Sequence, residues 1–407
     1  MHAMDMPPPS GEALEVSQHL SSILRRRVER EGGWLSFERY MQMALYEPML
    51  GYYAGGSRKF GAAGDFTTGP EITPLFGACL ATQIAQWFAG LPHRIVEFGG
   101  GSGALAVQIL NELARLGFRN VQYDIVELSG ELRERQMQTL RLFAPMHAEQ
   151  VRWLEEMPAA VQGVILGNEL LDALPVRLFK LSNSQVMERG VALAGGAPGD
   201  IDGGFRWHDR PADEQLAREV RQRLEHADWP RDLSEVTGQS DYVSEYSPIV
   251  QAWVSTMISQ LDRGVALLID YGFPVREYYH VQRDQGTLMC HYRHRAHTDP
   301  FFAPGLSDIT AHVDFSLVAS AAAQSGAQLL GYASQARFLM NCGLLDRLAR
   351  FDVNDRVLYG KQSQAVQRLL SEAEMGELFK VIALGKGVTD DAIGFVNGDR
   401  RDALRVS

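Results

Sequence analysis

The 407-residue chain carries only three cysteines, Cys79, Cys290 and Cys342, too few and too scattered for a disulfide framework. A reducing compartment, the bacterial cytoplasm, is therefore expected. No apolar run approaches the roughly 20 residues of a membrane-spanning helix, and the most hydrophobic strands end in the carboxylates Glu97 and Glu127. Positive charge is in deficit as well. Against 50 Asp and Glu stand 39 Lys and Arg, a net charge of −11, which argues against general nucleic-acid binding and leaves a cationic partner open. The N-terminus, Met1–Gly11, contains three consecutive prolines and no apolar stretch of a signal peptide. Arg25–Arg27 sit among Glu29 and Glu31, unlike an acid-poor mitochondrial presequence. No internal repeat is visible. With 45% hydrophobic residues, the chain can bury a large core as one domain with insertions, or as two domains.

The most informative segment is Arg94-Ile95-Val96-Glu97-Phe98-Gly99-Gly100-Gly101-Ser102-Gly103. A short β-branched run ends in a carboxylate, turns through glycines and opens into the apolar-periodic segment 104–116, which predicts a helix. Glycines belong where backbone bends sharply and a ligand approaches without a Cβ in the way. The spacing Glu-x-Gly-x-Gly-x-Gly differs from Gly-x-Gly-x-x-Gly, although Ala104 at the sixth position is compatible with a dinucleotide site. Glu97 favours S-adenosylmethionine (SAM), whose amino-acid end carries an ammonium, over a pyrophosphate that it would repel. A second strand, 121–127, ends in Glu127, which is placed to accept from both ribose hydroxyls of either ligand. The plainer alternative is a glycine-rich turn with an exposed helix-capping glutamate.

Helices are predicted at 12–31, 34–45 and 75–88, followed by strand–helix alternation from Ile95 to Leu166. That alternation predicts a parallel sheet covered on both faces, with its ligand at the carboxyl ends of the strands. A hairpin at 176–193, helices near 212–226 and 247–262, a strand at 265–269, a helix at 315–324, mostly helical residues at 334–375 and a last strand at 378–384 complete the reading. The expected division is a disordered tail (1–11), a helical extension with a lid loop (12–92) and the core (93–195 and 262–272). A helical insertion (196–261), a substrate-facing insertion (273–313), C-terminal helices with the last core strand (314–390) and a tail (391–407) follow.

Four further constellations carry possible chemistry. Gly167-Asn168-Glu169-Leu170-Leu171-Asp172 follows the fourth core strand, where Asn168 and Glu169 would face an incoming acceptor; a carboxylate there can hold a cation or take its proton. The alternative, purely structural reading makes Asn168 and Asp172 caps of a following short helix. Residues 64–76, with Asp65, Thr67, Thr68 and Glu71 among prolines, suit a lid or a plain connection. Cys290-His291-Tyr292-Arg293-His294-Arg295-Ala296-His297 holds zinc-ligand types, but Arg293 and Arg295 interleave and repel a dication, so a substrate-contacting loop without metal is expected. Asp308, His312 and Asp314 cluster before a helix, where His312 is either a general base or a packed residue beside a helix cap.

Together these motifs resemble the MidA family of SAM-dependent methyltransferases, assembly factors for respiratory complex I with many bacterial relatives. The resemblance is carried by Phe37-Glu38-Arg39-Tyr40-Met41, Ala44-Leu45-Tyr46-Glu47-Pro48, Gly51-Tyr52-Tyr53, Gly64-Asp65-Phe66-Thr67-Thr68 and Pro70-Glu71-Ile72. It continues through Glu97–Gly103, Gly167–Ala173, Glu188-Arg189-Gly190-Val191, Asp270-Tyr271-Gly272, Gly286-Thr287-Leu288 and Asp308–Phe315, and spans residues 15–385. It implies a class I methyltransferase fold: α/β, Rossmann-like, a seven-stranded sheet with an antiparallel last strand, here with an N-terminal helical extension and large insertions. It implies SAM as cofactor, lined by Gly99, Gly101 and Gly103, with Glu97 at its amino end and Glu127 at its ribose. Asn168 and Glu169 would lie near the transferred methyl, with Thr67 and Glu71 from the lid. The implied activity is dimethylation of an arginine on a protein partner such as a complex I subunit, with Glu71, Glu169, Asp172 and Asp308 as carboxylates for the guanidinium. The rivals are a SAM-binding assembly chaperone without catalysis and an NAD-dependent oxidoreductase.

Overall fold

In the computed structural model, residues 6–55, 67–182, 185–195, 204–230, 241–389 and 391–405 are described. The chain opens with α1 (Gly11–Arg30), β1 (Leu35–Ser36), α2 (Phe37–Tyr46), α3 (Gly69–Ile72) and α4 (Leu75–Phe88). Alternation then gives β2 (Arg94–Phe98), α5 (Ala104–Arg115), β3 (Gln122–Val126), α6 (Gly130–Phe143), β4 (Val151–Leu154) and β5 (Val161–Asn168). Next come β6 (Arg177–Ser182), β7 (Gln185–Leu193), β8 (Phe205–Pro211), α7 (Glu214–His226), β9 (Tyr242–Tyr246), α8 (Pro248–Gln260) and β10 (Leu261–Phe273). After α9 (Val275–Tyr278) lie β11 (Met289–Tyr292), β12 (Arg295–His297), β13 (Asp308–Thr310) and β14 (Val313–Asp314). The chain closes with α10 (Phe315–Gln324), β15 (Gln328–Ser334), α11 (Gln335–Asn341), α12 (Leu344–Leu348), α13 (Arg356–Leu370) and β16 (Phe379–Lys386). No helix among the described residues is long and apolar enough to cross a membrane.

Two units emerge. One comprises 1–66, 172–250 and 274–312; the other comprises 67–171, 251–273 and 313–407. The second unit holds a sheet in the order β15-β16-β10-β5-β2-β3-β4, with β14 beside the end of β10. β10, β5, β2, β3 and β4 run parallel, and β16 lies antiparallel between β10 and β15. This is the class I methyltransferase topology, with the last strand of the chain inserted antiparallel. β10 and β16 are buried almost along their length, as strands covered on both faces must be. The core includes Ile95, Val164, Val265, Leu267 and Val381 on strands, packed with Leu80, Ile84, Ile109, Leu110 and Phe338 from helices.

The first unit contains a sheet of β1, β7, β6 and β9, with β8 on β7, and a small sheet of β12, β11 and β13. Its core gathers Leu20, Leu24, Phe37, Tyr40, Leu178, Val191 and Ile309.

The structure redraws several expected boundaries. The hairpin β6–β7 belongs to the first unit and not to the methyltransferase core. Residues 196–261 are not a helical insertion alone, since β8 and β9 flank α7 and extend the first unit's sheet. Every residue of β9 is buried, so it shows no alternation by which to recognise it. α4 packs in the second unit's core and is not part of an N-terminal extension. Neither end is wholly a tail. Met6 packs with Tyr292 and Phe302, and Phe395 and Leu404 are buried; residues 1–5 and 406–407 lie outside the described residues.

Candidate functional site

The glycine turn joins β2 to α5. Gly99, Gly101 and Gly103 have φ of 67°, 53° and 85°, the left-handed region that other residues enter at a cost of about 1–2 kcal/mol. A Cβ on Gly103 would lie 3.1 Å from Cα of Gln136, and one on Gly100 would lie 2.9 Å from the Ile125 side chain. The turn is thus both specially bent and pressed against β3 and α6. It leads into the N-terminus of a 12-residue helix.

Glu97 is buried at the end of β2 and accepts from the Tyr123 hydroxyl at 2.8 Å. Burial pushes its carboxyl up to about 7; the Tyr123 hydrogen bond opposes that, and the Glu127 charge adds to it. Glu127, just beyond β3, accepts from the Ser129 amide at 2.9 Å and from Gln136 Nε2 at 3.2 Å. The same Gln136 amide donates to the Gly101 carbonyl at 3.1 Å, and its Oε1 accepts from Trp153 at 2.8 Å. Gln136 therefore braces both the glycine turn and Glu127. Sequence reasoning missed it, although a signal existed: it interrupts the buried Leu132–Leu140 stripe of α6 with a polar side chain.

β5 ends at Asn168, whose Nδ2 donates to Glu169 Oε1 at 3.1 Å. Glu169 has φ of 52°, and its amide donates to the Ile269 carbonyl at 2.8 Å. No helix follows β5, so Asn168 and Asp172 cap nothing there; the Asp172 carbonyl instead accepts from Ala311 at 3.0 Å. Of the expected lid, residues 64–66, including Asp65, lie outside the described residues. The remainder is not a plain loop: Gly69–Ile72 form α3, and α4 starts at Leu75. α3 is tied to the site at three points. The Gly69 amide donates to Glu169 Oε1 at 3.4 Å, the Pro70 carbonyl accepts from Gln108 at 2.7 Å, and Glu71 accepts from the Ser102 hydroxyl of the glycine turn. Thr67 stands half-buried just before α3.

The second unit thus brings together Glu97, Gly99, Gly101, Gly103, Glu127, Asn168, Glu169, Thr67 and Glu71. Asp308 and His312 belong to the first unit. Asp308 is buried on β13 and accepts from the Tyr53 hydroxyl at 3.0 Å, while the His312 amide donates to Thr287 Oγ1 at 3.0 Å. Asp314 is the helix cap of the cluster, accepting from the Leu317 amide at 3.1 Å. In the Cys/His segment, Cys290 and His297 are register partners across β11 and β12, both buried.

The cradle fits S-adenosyl-L-methionine on its own geometry. Three left-handed glycines bend the turn ahead of a helix N-terminus, a buried carboxylate that could pair with a cation ends one strand, and a second carboxylate stands at the next strand's end.

A family model described as S-adenosyl-L-methionine-dependent methyltransferase matches residues 79–333. A solved structure of a COG1565 superfamily member from Burkholderia thailandensis, bound to S-adenosyl-homocysteine, is 47% identical. It superposes with a TM-score of 0.89, covering 98% of this chain and 100% of that one. Protein arginine methyltransferase NDUFAF7, mitochondrial, from Danio rerio is 30% identical over 86% of this chain and 83% of its own length. The NDUFAF7 homolog of Caenorhabditis elegans is 28% identical over 93% and 88%.

Proposed function

The chain belongs to the MidA family of S-adenosyl-L-methionine-dependent methyltransferases, and from that premise we propose that it methylates an arginine side chain of a protein, such as a subunit of respiratory complex I. The observation that carries this reading is the tie between α3 and the end of β5. The Gly69 amide meets Glu169, and Glu71, two residues on, meets the glycine turn through Ser102. Two carboxylates are thereby held beside the cofactor cradle. The names of the curated relatives supply the arginine specificity, and a net charge of −11 suits a cationic acceptor.

When bound, S-adenosyl-L-methionine supplies an electrophilic methyl group. Glu97 holds the cofactor's ammonium and Glu127 its ribose hydroxyls. An arginine guanidinium is planar, cationic and weakly nucleophilic, and carboxylates meet it in fixed, charge-assisted geometry. Glu169 and Glu71 orient one guanidinium nitrogen for in-line attack, and Glu169 accepts the proton that nitrogen sheds. Asn168 steadies Glu169 through its amide.

The experiment is transfer of labelled methyl from SAM into a lysate of the host lacking the gene, with labelled proteins identified by mass spectrometry. Dimethylarginine on a discrete protein supports the reading. Label confined to small molecules overturns the protein-arginine assignment.

A further inference from the structure

Asp270 belongs to no part of the cradle or the lid, yet it accepts hydrogen bonds from the two amides that follow Glu169. It lies near the end of β10 with 1% of its surface exposed. β10 pairs with β5 in parallel, with Ile269 opposite Asn168, so Asp270 lies one residue beyond the end of that pairing. There the neighbouring chain leaves the sheet. Asp270 Oδ2 accepts from the Leu170 amide at 3.1 Å and the Leu171 amide at 2.8 Å, and Oδ1 accepts from the Tyr271 amide at 3.0 Å.

These bonds have a consequence for the residue just before them. Glu169 holds a left-handed φ of 52°, a conformation a glutamate does not keep unless its surroundings impose it. On one side its own amide is fixed to Ile269; on the other, the next two amides converge on one carboxylate oxygen. A charged acceptor shared by successive amides is a strong anchor, strongest where water is excluded. The side chain of Leu170 is set by the same anchor: its Cδ1 lies 3.4 Å from where a Cβ on Gly99 would stand. On β16, Lys380 is the register partner of Asp270, and it too is buried.

We propose that Asp270 is the positioning residue of the methyl-transfer site, fixing the Glu169 carboxylate toward the acceptor by clamping the Leu170 and Leu171 amides. It does not touch the reacting atoms; it acts through Glu169. The inference rests on the reading that Glu169 faces the acceptor.

The test combines Asp270→Ala and Asp270→Asn with Glu169→Gln in a double-mutant cycle. Label transfer into the gene-deleted lysate, SAM affinity by calorimetry and a crystal structure of each Asp270 variant are the readouts. Asp270→Ala is expected to lose about a hundredfold in transfer rate, the scale of an ångström-sized misplacement, while SAM binds with wild-type affinity. Asp270→Asn keeps one acceptor oxygen and is expected to recover part of the loss. In the Glu169→Gln background the Asp270→Ala change is expected to cost nothing further, because it acts through the group already removed. Multiplying losses, a wild-type rate for Asp270→Ala, or an equal collapse of SAM binding would each overturn the proposal. If Asp270→Ala does not fold, Asp270→Asn carries the same comparison. Should the wild-type protein transfer no label, the functional reading fails, and the crystal structures decide alone. A displaced 169–171 turn upholds the clamp, and an unmoved one refutes it.

Discussion

The Tyr123 hydroxyl donates to Glu97 at 2.8 Å, and this bond joins two buried groups on neighbouring strands of the parallel sheet. Burial of both is the leading cause of their shifted proton affinities. The Glu97 carboxyl is raised from 4.5 to about 7, and the Tyr123 phenol is pushed well above its usual value. If Glu97 takes the SAM ammonium as proposed, protonation of its raised carboxyl below about pH 7 competes with binding. SAM affinity is expected to rise toward neutrality, approaching tenfold per pH unit below about pH 6, and to level near 7. Glu97→Gln should bind more weakly and show no such slope. Calorimetric titration across this range checks both.

Glu127 is expected to carry the ribose. Loss of charged hydrogen bonds of about 1.5–3 kcal/mol each predicts that Glu127→Ala weakens SAM binding by at least about tenfold. The fold should survive, since Glu127 is only half-buried and its protein partners are the Ser129 amide and Gln136. Calorimetry with circular dichroism as the control separates the two effects.

Gly103→Ala places a Cβ on a φ of 85° and 3.1 Å from Gln136. A cost of about 1–2 kcal/mol is expected from the backbone alone. Lower thermal stability together with weaker SAM binding should follow, because Gln136 braces both the turn and Glu127. A stable variant with normal affinity would contradict the close packing described here.

His297 gives the first unit an acid sensitivity. Burial holds its imidazole down from 6.5 to about 4, with the His291 charge adding to the effect. The folded state therefore resists the proton that the unfolded chain accepts, so stability falls as pH drops from about 6.5 toward 4. Replacing it, as in His297→Leu, should flatten that part of the profile. Denaturant unfolding of wild type and variant at the two ends of this range is the measurement.

Much of the second unit was legible in the residues. The run Ile95-Val96-Glu97 followed by glycines at 99, 101 and 103 reads as a strand feeding a sharp turn, and the structure places it so. The helices at 75–88 and 315–324 appear at their expected bounds; both are apolar on nearly all sides and buried on most of their residues. β15 escaped notice: Gln328–Ser334 contains a glycine, and it owes its extended form to pairing with β16. β9 escaped because a fully buried strand has no alternation. In the site, Gln136 left only a faint trace, a polar residue within a buried apolar stripe, and the role of Asp270 was not legible, since the amides it holds lie about a hundred residues away.

By itself, then, the sequence determined the local grammar: strand, carboxylate, glycine turn and helix at Glu97, and strand, carboxylate and Ser129-capped helix at Glu127, set by β-propensity, apolar period and, at the first, glycine's freedom of φ. It also determined the negative charge suited to a cationic acceptor. Only the tertiary structure decided which distant groups meet. It set Gln136 between the glycine turn and Glu127, α3 against Ser102 and Glu169, and Asp270 beneath the Leu170 and Leu171 amides. Such pairings arise from sheet register and helix packing, which sum over the whole core, and no short stretch of sequence contains that sum.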